Sequence, residues 1–463
     1  MLASFMSSHG WEHKHVSVPE SLPSLVQTDS RKVSVGQWFV PIVGENHDGH
    51  TFIEGACEAG AGGFFYAKTY ESKLSAALKA KGIAVPDTFK AVQDLAQWWR
   101  AQHPNCQVIG ITGSSGKTSV KELCSEMLGG IAPTLKTVGS LNNELGVPLT
   151  LLQLKLEHKF AVIEMGARHV GDIAFLTKIV QQNVGVLINV GTAHIGEFGG
   201  PEKVLEAKME IASAPHAVYF RDDERIHSAM KKTSAKVTSF GRSPSADVRI
   251  ISDTCDTQGQ LHLTLTAAGK ERSFVLPYFH DVYSLNVAAV LAIGLRLGLS
   301  IEACLPGLKR YNGIKGRFQI HRLPKLTLID DAYNANPQSM RAGLETLRKA
   351  FPDTRKILIL GDMRELGEET EHAHREMGAY CADSVRPELL ITVGESSLWM
   401  EEAARSHGLK TNQLKHFATV EDLMPILADI QSHGDLLYVK ASNSLKLSKI
   451  IDKLLATEGR AHH

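Results

Sequence analysis

The chain has 463 residues, of which 43% are apolar and 22% are charged, a balance typical of a globular protein with room for roughly three domains. Fifty lysine and arginine residues face fifty aspartate and glutamate residues, so the formal net charge is zero, which argues against a protein that coats nucleic acid. The six cysteines are scattered without any CxxC spacing, which argues against a disulfide scaffold or a zinc ribbon and fits a reducing cytosol.

The beginning of the chain has no basic segment followed by an apolar one, so we expect no export signal. The most apolar long run, at 287–299, is interrupted by Arg296 and is shorter than the ~18 residues of a membrane span. We therefore predict a cytoplasmic protein, without membrane insertion and without a nucleic-acid partner, and we expect a monomer.

Residues 1–102 are predicted to form a small mixed α/β domain. The short apolar runs at 38–40 and 63–66 are bounded by glycine-rich turns and are typical of strands. A periodic apolar face predicts a helix over 89–100. The segment 101–105 contains a proline that cannot continue this helix, so it is predicted to be a linker.

Residues 103–314 are predicted to form a central domain with a parallel sheet. A buried-type strand at 108–111 leads into a glycine-rich loop and then into an amphipathic helix that ends at a pair of glycines. Further apolar strands are predicted at 160–163 and 186–188, and the stretch 235–275 has an alternating β pattern. Strands that alternate with helices indicate a parallel sheet covered on both faces.

Residues 315–463 are predicted to form a third domain, a Rossmann-like α/β sheet without a phosphate-type loop of its own. Helical stretches lie between its strands, which is typical of a second parallel sheet. The predicted strands are 326–329, 356–360, 389–393 and 436–439.

The clearest chemical signal is the segment TGSSGKTS at 112–119, which follows a strand and opens a helix. Glycines allow backbone N–H groups to turn toward an anion, the helix N-terminus adds partial positive charge, and Lys117 can reach the outer phosphates. Thr118 can place its hydroxyl on Mg²⁺. Ile111 stands where the usual pattern has its first glycine, and the alternative is a glycine-rich turn with a solvated lysine. The predicted phosphate-binding residues are Gly113, Ser114, Ser115, Gly116, Lys117, Thr118 and Ser119.

Three further residues stand near the same predicted sheet edge. Glu164 ends a strand, where it is either a Mg²⁺ ligand or a surface acid. His194 lies in the turn after the next strand, where it is either a ligand or a structural histidine. Lys208 interrupts the apolar stripe of a helix that begins near Pro201. Its side chain either extends to water or is held in the active site, where desolvation favours the neutral amine.

The third domain carries polar loops directly after two of its strands. One contains DDAYNANP at 330–337 and the other contains GDMRELG at 361–367. Acids and amides at such positions can hold ribose hydroxyls, a metal or a substrate amine. Two such loops on adjacent strands indicate a second ligand-facing rim, which we expect to close over the first.

Together these segments resemble the Mur ligases, the ATP-dependent amino-acid-adding enzymes of peptidoglycan precursor synthesis, over nearly the whole chain. The resemblance rests on the phosphate loop, on NNELGVP at 142–148, on EMGA at 164–167, on NVGTAHIGEFG at 189–199 and on AKMEI at 207–211. The first domain adds DSR at 29–31 and GENHDGH at 44–50, similar to the family's UDP-sugar domain. The two loops of the third domain resemble the branch that adds D-alanyl-D-alanine to a UDP-N-acetylmuramoyl tripeptide through an acyl phosphate.

The resemblance implies a role for each matching residue. It implies that Lys117, Glu164, His194 and Lys208 are catalytic, and that ATP is also contacted by Asn286, Arg317 and Asp331. It implies that Thr118, Glu164, His194 and a carbamylated Lys208 hold Mg²⁺. It implies that the substrates are bound by Ser30, Arg31, Asp48, Gly49, His50, Asn142, Asn143, Asn334 and Asn336, with the third domain taking the dipeptide.

The chain departs from the family pattern at two motifs. The HNxxN signature is reduced to HDVYS at 280–284 with Asn286 following, and the late VKGSR motif reads VKASN at 439–443. Two other functions remain as alternatives. A nucleotide-dependent switch would need no UDP-sugar domain, and a GTP switch usually carries an Asn-Lys-x-Asp stretch that this chain lacks. A folylpolyglutamate synthase-like ligase would lack the first domain and the DDAYNANP loop.

Overall fold

Three β-sheets of four, nine and six strands follow one another along the chain, with helices between the strands. The computed structural model describes residues 1–463 apart from 14–15, 45–46, 192–197, 199, 257–259, 278–281, 312, 325, 428–434 and 460–463, and apart from the side chains of 282 and 457–459. The predicted α/β class with three sheet-based units is therefore confirmed. Within the described ranges, every helix is too short or too polar to cross a membrane.

The first sheet is parallel throughout. Its strands, in spatial as well as chain order, are β1 (Val26–Gln27), β2 (Trp38–Phe39), β3 (Gly63–Ala67) and β4 (Gly82–Val85). The helices of this part are α1 (Leu2–Ser8), α2 (Leu22–Leu25), α3 (Ile53–Glu58), α4 (Ala76–Lys79) and α5 (Thr88–Ala101). The helix α5 begins where the sequence predicts it, because the Asp87 side chain accepts the N–H of Lys90 and caps its first turn.

The central sheet has nine strands in the order β13-β12-β11-β10-β9-β8-β5-β7-β6. The strands are β5 (Gln107–Thr112), β6 (Thr134–Lys136), β7 (Phe160–Glu164), β8 (Val184–Leu187), β9 (His216–Phe220), β10 (Lys236–Gly241), β11 (Val248–Cys255), β12 (Leu261–Ala267) and β13 (Lys270–Leu276). The helices are α6 (Lys117–Gly129), α7 (Gly146–Leu151), α8 (Asp172–Val180), α9 (Pro201–Met209), α10 (Glu224–Met230), α11 (Val282–Arg296) and α12 (Ile301–Arg310). Only the pairs β11–β12 and β12–β13 are antiparallel, so β12 alone is reversed and the carboxyl ends of β5, β7 and β8 meet at one edge.

The first and central sheets share one hydrophobic core. A single buried cluster contains Phe65 and Leu95 from the first part and Val108 and Leu176 from the central part. Arg100 at the end of α5 is buried, and its guanidinium donates to the carbonyls of Val180, His103 and Gln181 and to the side chain of Asn183 at 2.7–3.3 Å. The predicted boundary near residue 102 therefore divides the chain at a point where the packing is continuous.

The third sheet has the order β14-β15-β19-β16-β17-β18, with β14 antiparallel and the others parallel. Its strands are β14 (Gln319–Arg322), β15 (Thr327–Asp331), β16 (Lys356–Gly361), β17 (Leu389–Val393), β18 (Leu414–Phe417) and β19 (Leu436–Lys440). Its helices are α13 (Pro337–Ala350), α14 (Thr370–Tyr380), α15 (Leu398–Ser406), α16 (Val420–Leu423) and α17 (Ser448–Gly459). The four strands expected from the sequence are confirmed, and the edge strands β14 and β18 are additional.

Helices cover the third sheet on both faces. The buried side chains of α13, α14 and α15 belong to one core cluster, and those of α16 and α17 belong to another. The chain leaves β15 and β16 toward the first face, whereas it leaves β19, which lies between them, toward the second. The loops after these three strands therefore surround a topological switch point, where open α/β sheets bind their ligands.

Candidate functional site

The glycine-rich loop lies between β5 and α6, as the sequence predicts. Gly116 has φ +78°, a left-handed conformation that favours glycine, and α6 begins at the next residue, Lys117. The Lys117 Nζ donates to the carbonyl of Gly113 at 2.7 Å, so the ammonium folds back over the loop. Burial lowers the pKa of Lys117, the Glu164 carboxylate opposes that effect, and Arg317 adds to it. A glycine-rich turn that leads directly into a helix N-terminus, with a lysine at the first helical position, is typical of an anion-binding loop.

Asn189, just beyond β8, fixes the shape of the loop. Its Oδ1 accepts the backbone N–H groups of Ser114 at 3.1 Å and Ser115 at 3.0 Å, and its Nδ2 donates to the carbonyl of Ser115. The N–H of Gly191 donates to the Ser114 hydroxyl at 2.9 Å. The sequence analysis missed this role, although Asn189 stands directly after a buried strand at the same sheet edge as the loop.

Glu164 is buried beside the loop, which excludes the alternative of a surface acid. It is the last residue of β7 and pairs in register with Ile111, and only 1% of its surface is exposed. Its Oε1 accepts the Asn142 side-chain amide at 2.8 Å, whereas its Oε2 has no hydrogen-bond partner. A buried carboxylate oxygen without a partner is costly unless a cation completes it. Glu164 therefore fits one position of a cation site.

Lys121, one helical turn after Lys117, is a buried lysine that the sequence analysis missed. Its Nζ donates to the carbonyls of Thr137 at 2.7 Å and Gly139 at 3.0 Å, and it lies 3.9 Å from Oε2 of Glu164. The Thr137 hydroxyl in turn accepts the backbone N–H of Glu164. Lys121 thereby joins the phosphate-loop helix to the segment that supports Glu164.

Asn142 and Asn143 have separate positions in this segment. Asn142 binds Glu164, as described, and its carbonyl accepts the N–H of Gly166 at 2.8 Å. Asn143 Oδ1 accepts the N–H of Gly146 at 2.8 Å and so supports the start of α7. A β-carbon on Gly166 would lie 2.9 Å from Oδ1 of Asn142, so glycine is required for this close approach.

Lys208 points toward the sheet, as its place in the apolar stripe of α9 predicts. The residue is 2% exposed, and its Nζ lies 5.5 Å from the ring centre of Phe198. The pKa of Lys208 is lowered from an ordinary 10.5 to about 7, mainly by burial and also by the charge of Lys117, while Asp172 and Glu210 oppose the shift. The alternative of a solvated lysine is thus excluded. The predicted site residue His194 lies outside the described residues.

The third domain contacts the phosphate loop directly. The Arg317 guanidinium stacks on the Tyr333 ring at 4.2 Å from its centre, and Nη2 donates to the Thr118 hydroxyl at 3.4 Å. Gln338, in the first turn of α13, places its Oε1 3.5 Å from the Ser115 hydroxyl. From the central domain, Asn286 is buried at the loop with its Oδ1 close to Gly116. Arg317 and Gln338 of the third domain therefore lie against the phosphate loop.

Asp331 supports this contact from inside the third domain. Its Oδ2 accepts the Tyr438 hydroxyl at 2.8 Å and the Lys440 Nζ at 2.7 Å, and its Oδ1 accepts the N–H of Phe318 at 3.1 Å. Both oxygens are thus engaged by the protein, and Asp331 fixes the turn that carries Arg317.

Asn334 and Asn336 lie on the loop after β15. Asn336 caps α13, because its Oδ1 accepts the N–H of Ser339 at 2.8 Å. The side chain of Asn334 is exposed, while its carbonyl accepts the Lys440 Nζ at 3.1 Å.

The predicted residues of the first domain form a second group, whose hydrogen bonds stay within that domain among the described residues. Arg31 is exposed and pairs with Asp29 at 2.9 Å, beside Ser30. His50 is buried. Its Nδ1 lies 2.6 Å from Oδ1 of Asp48, and its Nε2 accepts the N–H of Ala67. A β-carbon on Gly49 would lie 2.6 Å from the carbonyl oxygen of Ile42, so this turn also requires glycine.

Three family models match the chain in succession. They are the Mur ligase family catalytic domain over 24–100, the Mur ligase middle domain over 111–294 and the Mur ligase glutamate ligase domain over 316–443.

Individual relatives match over nearly the full length. The UDP-N-acetylmuramoyl-tripeptide--D-alanyl-D-alanine ligase of Bacillus subtilis (strain 168) is 31% identical over 435 residues, which is 93% of each chain. The crystal structure of MurF from Acinetobacter baumannii is similar with a TM-score of 0.85, 31% identity and 98% of each chain covered. The MurF ligase from Thermotoga maritima in complex with ADP is similar with a TM-score of 0.81, 26% identity, and 94% of this chain and 98% of that chain covered.

Proposed function

The chain belongs to the Mur ligase family, and from that premise we propose that it is the member that joins D-alanyl-D-alanine to a UDP-N-acetylmuramoyl tripeptide with hydrolysis of ATP to ADP and phosphate. The observation that carries the proposal is the meeting of three groups at one point. The phosphate loop, the buried carboxylate of Glu164 and the guanidinium of Arg317 from the third domain all converge on Lys117 and Thr118.

The reaction must convert a carboxylate into an electrophile, because the oxide that would otherwise leave is a very poor leaving group. A carboxylate oxygen of the tripeptide attacks the terminal phosphorus of ATP, and ADP departs. The amine of the dipeptide then attacks the acyl carbon, loses a proton and expels inorganic phosphate, which forms the amide. An acyl phosphate hydrolyses in open water, so closure of the third domain over the loop protects it.

The residues of the loop supply positioning and charge for the phosphoryl step. Lys117 and the backbone N–H groups of the loop would bind the terminal phosphates, with Asn286 and Arg317 completing the nucleotide contacts. Because an anionic carboxylate approaches an anionic phosphate, these positive groups offset the repulsion in the transition state. The contact between Arg317 and Thr118 would make that stabilisation depend on domain closure.

The donor set beside the loop fits a magnesium ion. The Oε2 of buried Glu164, which has no hydrogen-bond partner and lies 3.9 Å from the Lys121 ammonium, and the hydroxyl of Thr118 are hard oxygen ligands of the kind that Mg²⁺ prefers. We include His194 and a carbamylated Lys208 in the proposed set, and the lowered pKa of Lys208 makes a neutral amine available for that modification. When bound, Mg²⁺ would neutralise charge on the transferred phosphoryl group. Among the described residues no three His, Cys, Asp or Glu side chains form a complete site.

The remaining assignments follow the same reasoning. We propose that Ser30, Arg31, Asp48, Gly49 and His50 form the UDP-sugar end of the substrate site. In this scheme Asp48 and His50 shape the turn, and the exposed Arg31 would exchange its ion pair with Asp29 for a diphosphate. We further propose a monomer that works in the cytoplasm.

The test is phosphate release with ATP and Mg²⁺, measured with each acceptor alone and with both. The proposal expects release only when a UDP-N-acetylmuramoyl tripeptide and D-alanyl-D-alanine are both present, and a parallel run with diaminopimelate and lysine tripeptides identifies the third residue. Lys117→Ala is expected to abolish phosphate release while the protein stays folded. Lys136→Ala is the control: this lysine pairs with Glu122, and its exchange is expected to leave phosphate release intact. Release with neither acceptor would instead support a nucleotide switch.

A further inference from the structure

The incoming dipeptide has a negatively charged terminal carboxylate, and no residue of the phosphate loop has been assigned to bind it. Two residues span at most about 7 Å, so this carboxylate must be bound close to the reacting carbon. The loops after β15, β16 and β19 surround the switch point of the third sheet, which faces the phosphate loop through Gln338 and Ser115. A group that recognises this carboxylate is therefore expected on these loops or on the neighbouring loop after β17.

The loops are fixed to one another by hydrogen bonds. The backbone N–H of Arg364 donates to the Ser442 hydroxyl at 3.0 Å, and the N–H of Ser442 donates to the carbonyl of Asp362 at 3.0 Å. The Ser442 hydroxyl also lies 3.4 Å from the carbonyl of Ala335. The N–H of Met363 donates to the buried His374 ring at 3.0 Å. Arg364 thus projects from a rigid loop rather than from a loose one.

The guanidinium of Arg364 is held near one carboxylate, but its hydrogen-bond donors are unoccupied among the described residues. Asp362 is fully buried, and its Oδ1 accepts the N–H of Ser397 at 2.8 Å. Its Oδ2 lies 3.2 Å from the Arg364 Nη2 and makes no hydrogen bond, so the N–H groups of the arginine are directed elsewhere. The Arg364 side chain is 56% exposed, and no hydrogen bond to another described residue occupies its donors. Its fork remains available for a planar anion.

The four loops contain only one other cation, Lys446. Lys446 is exposed and lies two residues before α17, which packs on the face of the sheet opposite to α13 and α14. The loop that carries Arg364 instead leads into α14. Arg317 is already stacked on Tyr333 and directed at Thr118. Arg364 is therefore the cation of these loops that remains for a ligand in the switch point.

We propose that Arg364 binds the terminal carboxylate of the incoming dipeptide, an inference that rests on the proposed function. Asp362 holds the guanidinium from below by charge, and the carboxylate accepts two of its N–H groups from above. The residue acts in recognition and takes no part in phosphoryl transfer. It selects acceptors with a free terminal carboxylate over those in which this group is neutral.

The experiment compares kinetics for two acceptors, D-alanyl-D-alanine and its C-terminal amide. The wild type is expected to show a KM for the amide about 10- to 100-fold above that for the acid. Arg364→Ala is expected to raise the KM for the acid by a similar factor, to leave the KM for the amide within about 3-fold of wild type, and to leave the KM for ATP unchanged. Arg364→Lys keeps the charge without the fork and is expected to fall in between.

Arg375→Ala is the matched control, because Arg375 is a half-exposed arginine on α14 that pairs with Glu371 and Glu402. If Arg364→Ala and Arg375→Ala show the same KM for the acid, or if the wild type uses the amide as well as the acid, the inference is overturned while the proposed function stands. If the wild type ligates neither acceptor, the proposed function itself has failed.

Discussion

Replacing the buried Lys208 with methionine is expected to stabilise the protein while it ends ligation. The ammonium is 2% exposed and lies against Phe198, and no described residue accepts a hydrogen bond from it. A pKa lowered from 10.5 to about 7 corresponds to roughly 5 kcal/mol of unfavourable free energy for the charged form in the folded state. Methionine fills a similar volume without charge, so part of this cost is recovered.

The stability difference between the wild type and Lys208→Met is expected to depend on pH. Below pH 7 the lysine is charged in both the folded and the unfolded chain, and the full cost falls on the folded state. Between pH 7 and 10.5 only the unfolded chain still holds the proton, so the stability of the wild type rises with pH. Above 10.5 the lysine is neutral in both states. The advantage of Lys208→Met is therefore largest at or below neutral pH and disappears in alkali.

Thermal unfolding of both proteins, measured from about pH 6 to about pH 10 in buffer free of CO₂ so that Lys208 stays an unmodified amine, tests this reasoning. A recovered 2 kcal/mol corresponds to a rise in Tm of about 4 to 8 °C for a domain of this size. Lys203→Met, an exchange at an exposed lysine of the same helix that pairs with Glu206, serves as the control and is expected to change the Tm little. A lower Tm for Lys208→Met at neutral pH, or a gain that does not vary with pH, would refute the account.

Three other substitutions test separate parts of the site. Glu164→Gln is expected to raise the Mg²⁺ concentration for half-maximal phosphate release about 10-fold or more, because it removes the free anionic oxygen; an unchanged Mg²⁺ titration would exclude Glu164 from the metal site. Asn189→Ala is expected to raise the KM for ATP roughly 5- to 30-fold at nearly constant Tm, because the N–H of Ser115 loses its acceptor and that of Ser114 keeps only the Asn189 carbonyl; an unchanged KM in steady-state kinetics at varied ATP would show that these side-chain contacts are dispensable. Arg100→Met is expected to lower the free energy of unfolding by about 3 kcal/mol in urea titrations, since four hydrogen bonds are lost, two of them buried and two part-buried; a loss below about 1 kcal/mol would contradict the role given to this packing.

The parts of the site that could be predicted from the sequence are those encoded locally. The phosphate loop is recognisable because the strand, the glycines and the first turn of the helix are contiguous in the chain. Lys208 is recognisable because a lysine in the apolar stripe of one helix must face the sheet. Glu164 is recognisable because parallel strands bring their carboxyl ends to one edge.

The parts that could not be predicted depend on residues distant in sequence. Asn189 acts on a loop 74 residues earlier, and Arg317 reaches Thr118 across 199 residues. Lys121 looks like an ordinary surface lysine of a helix until the carbonyls of 137–139 are packed against it. The hydrophobic core shared by the first two sheets likewise forms by packing between distant segments, so no local sequence pattern predicts it.

The account depends most on one event, the transfer of a phosphoryl group from ATP to the carboxylate of the peptide substrate at the lysine-bearing loop. The measurement is made with UDP-N-acetylmuramoyl tripeptide labelled with ¹⁸O in its reacting carboxylate, in a complete reaction with ATP and the dipeptide. The account predicts that the released inorganic phosphate carries one ¹⁸O atom from the peptide. Released phosphate that contains oxygen only from ATP and water would contradict it.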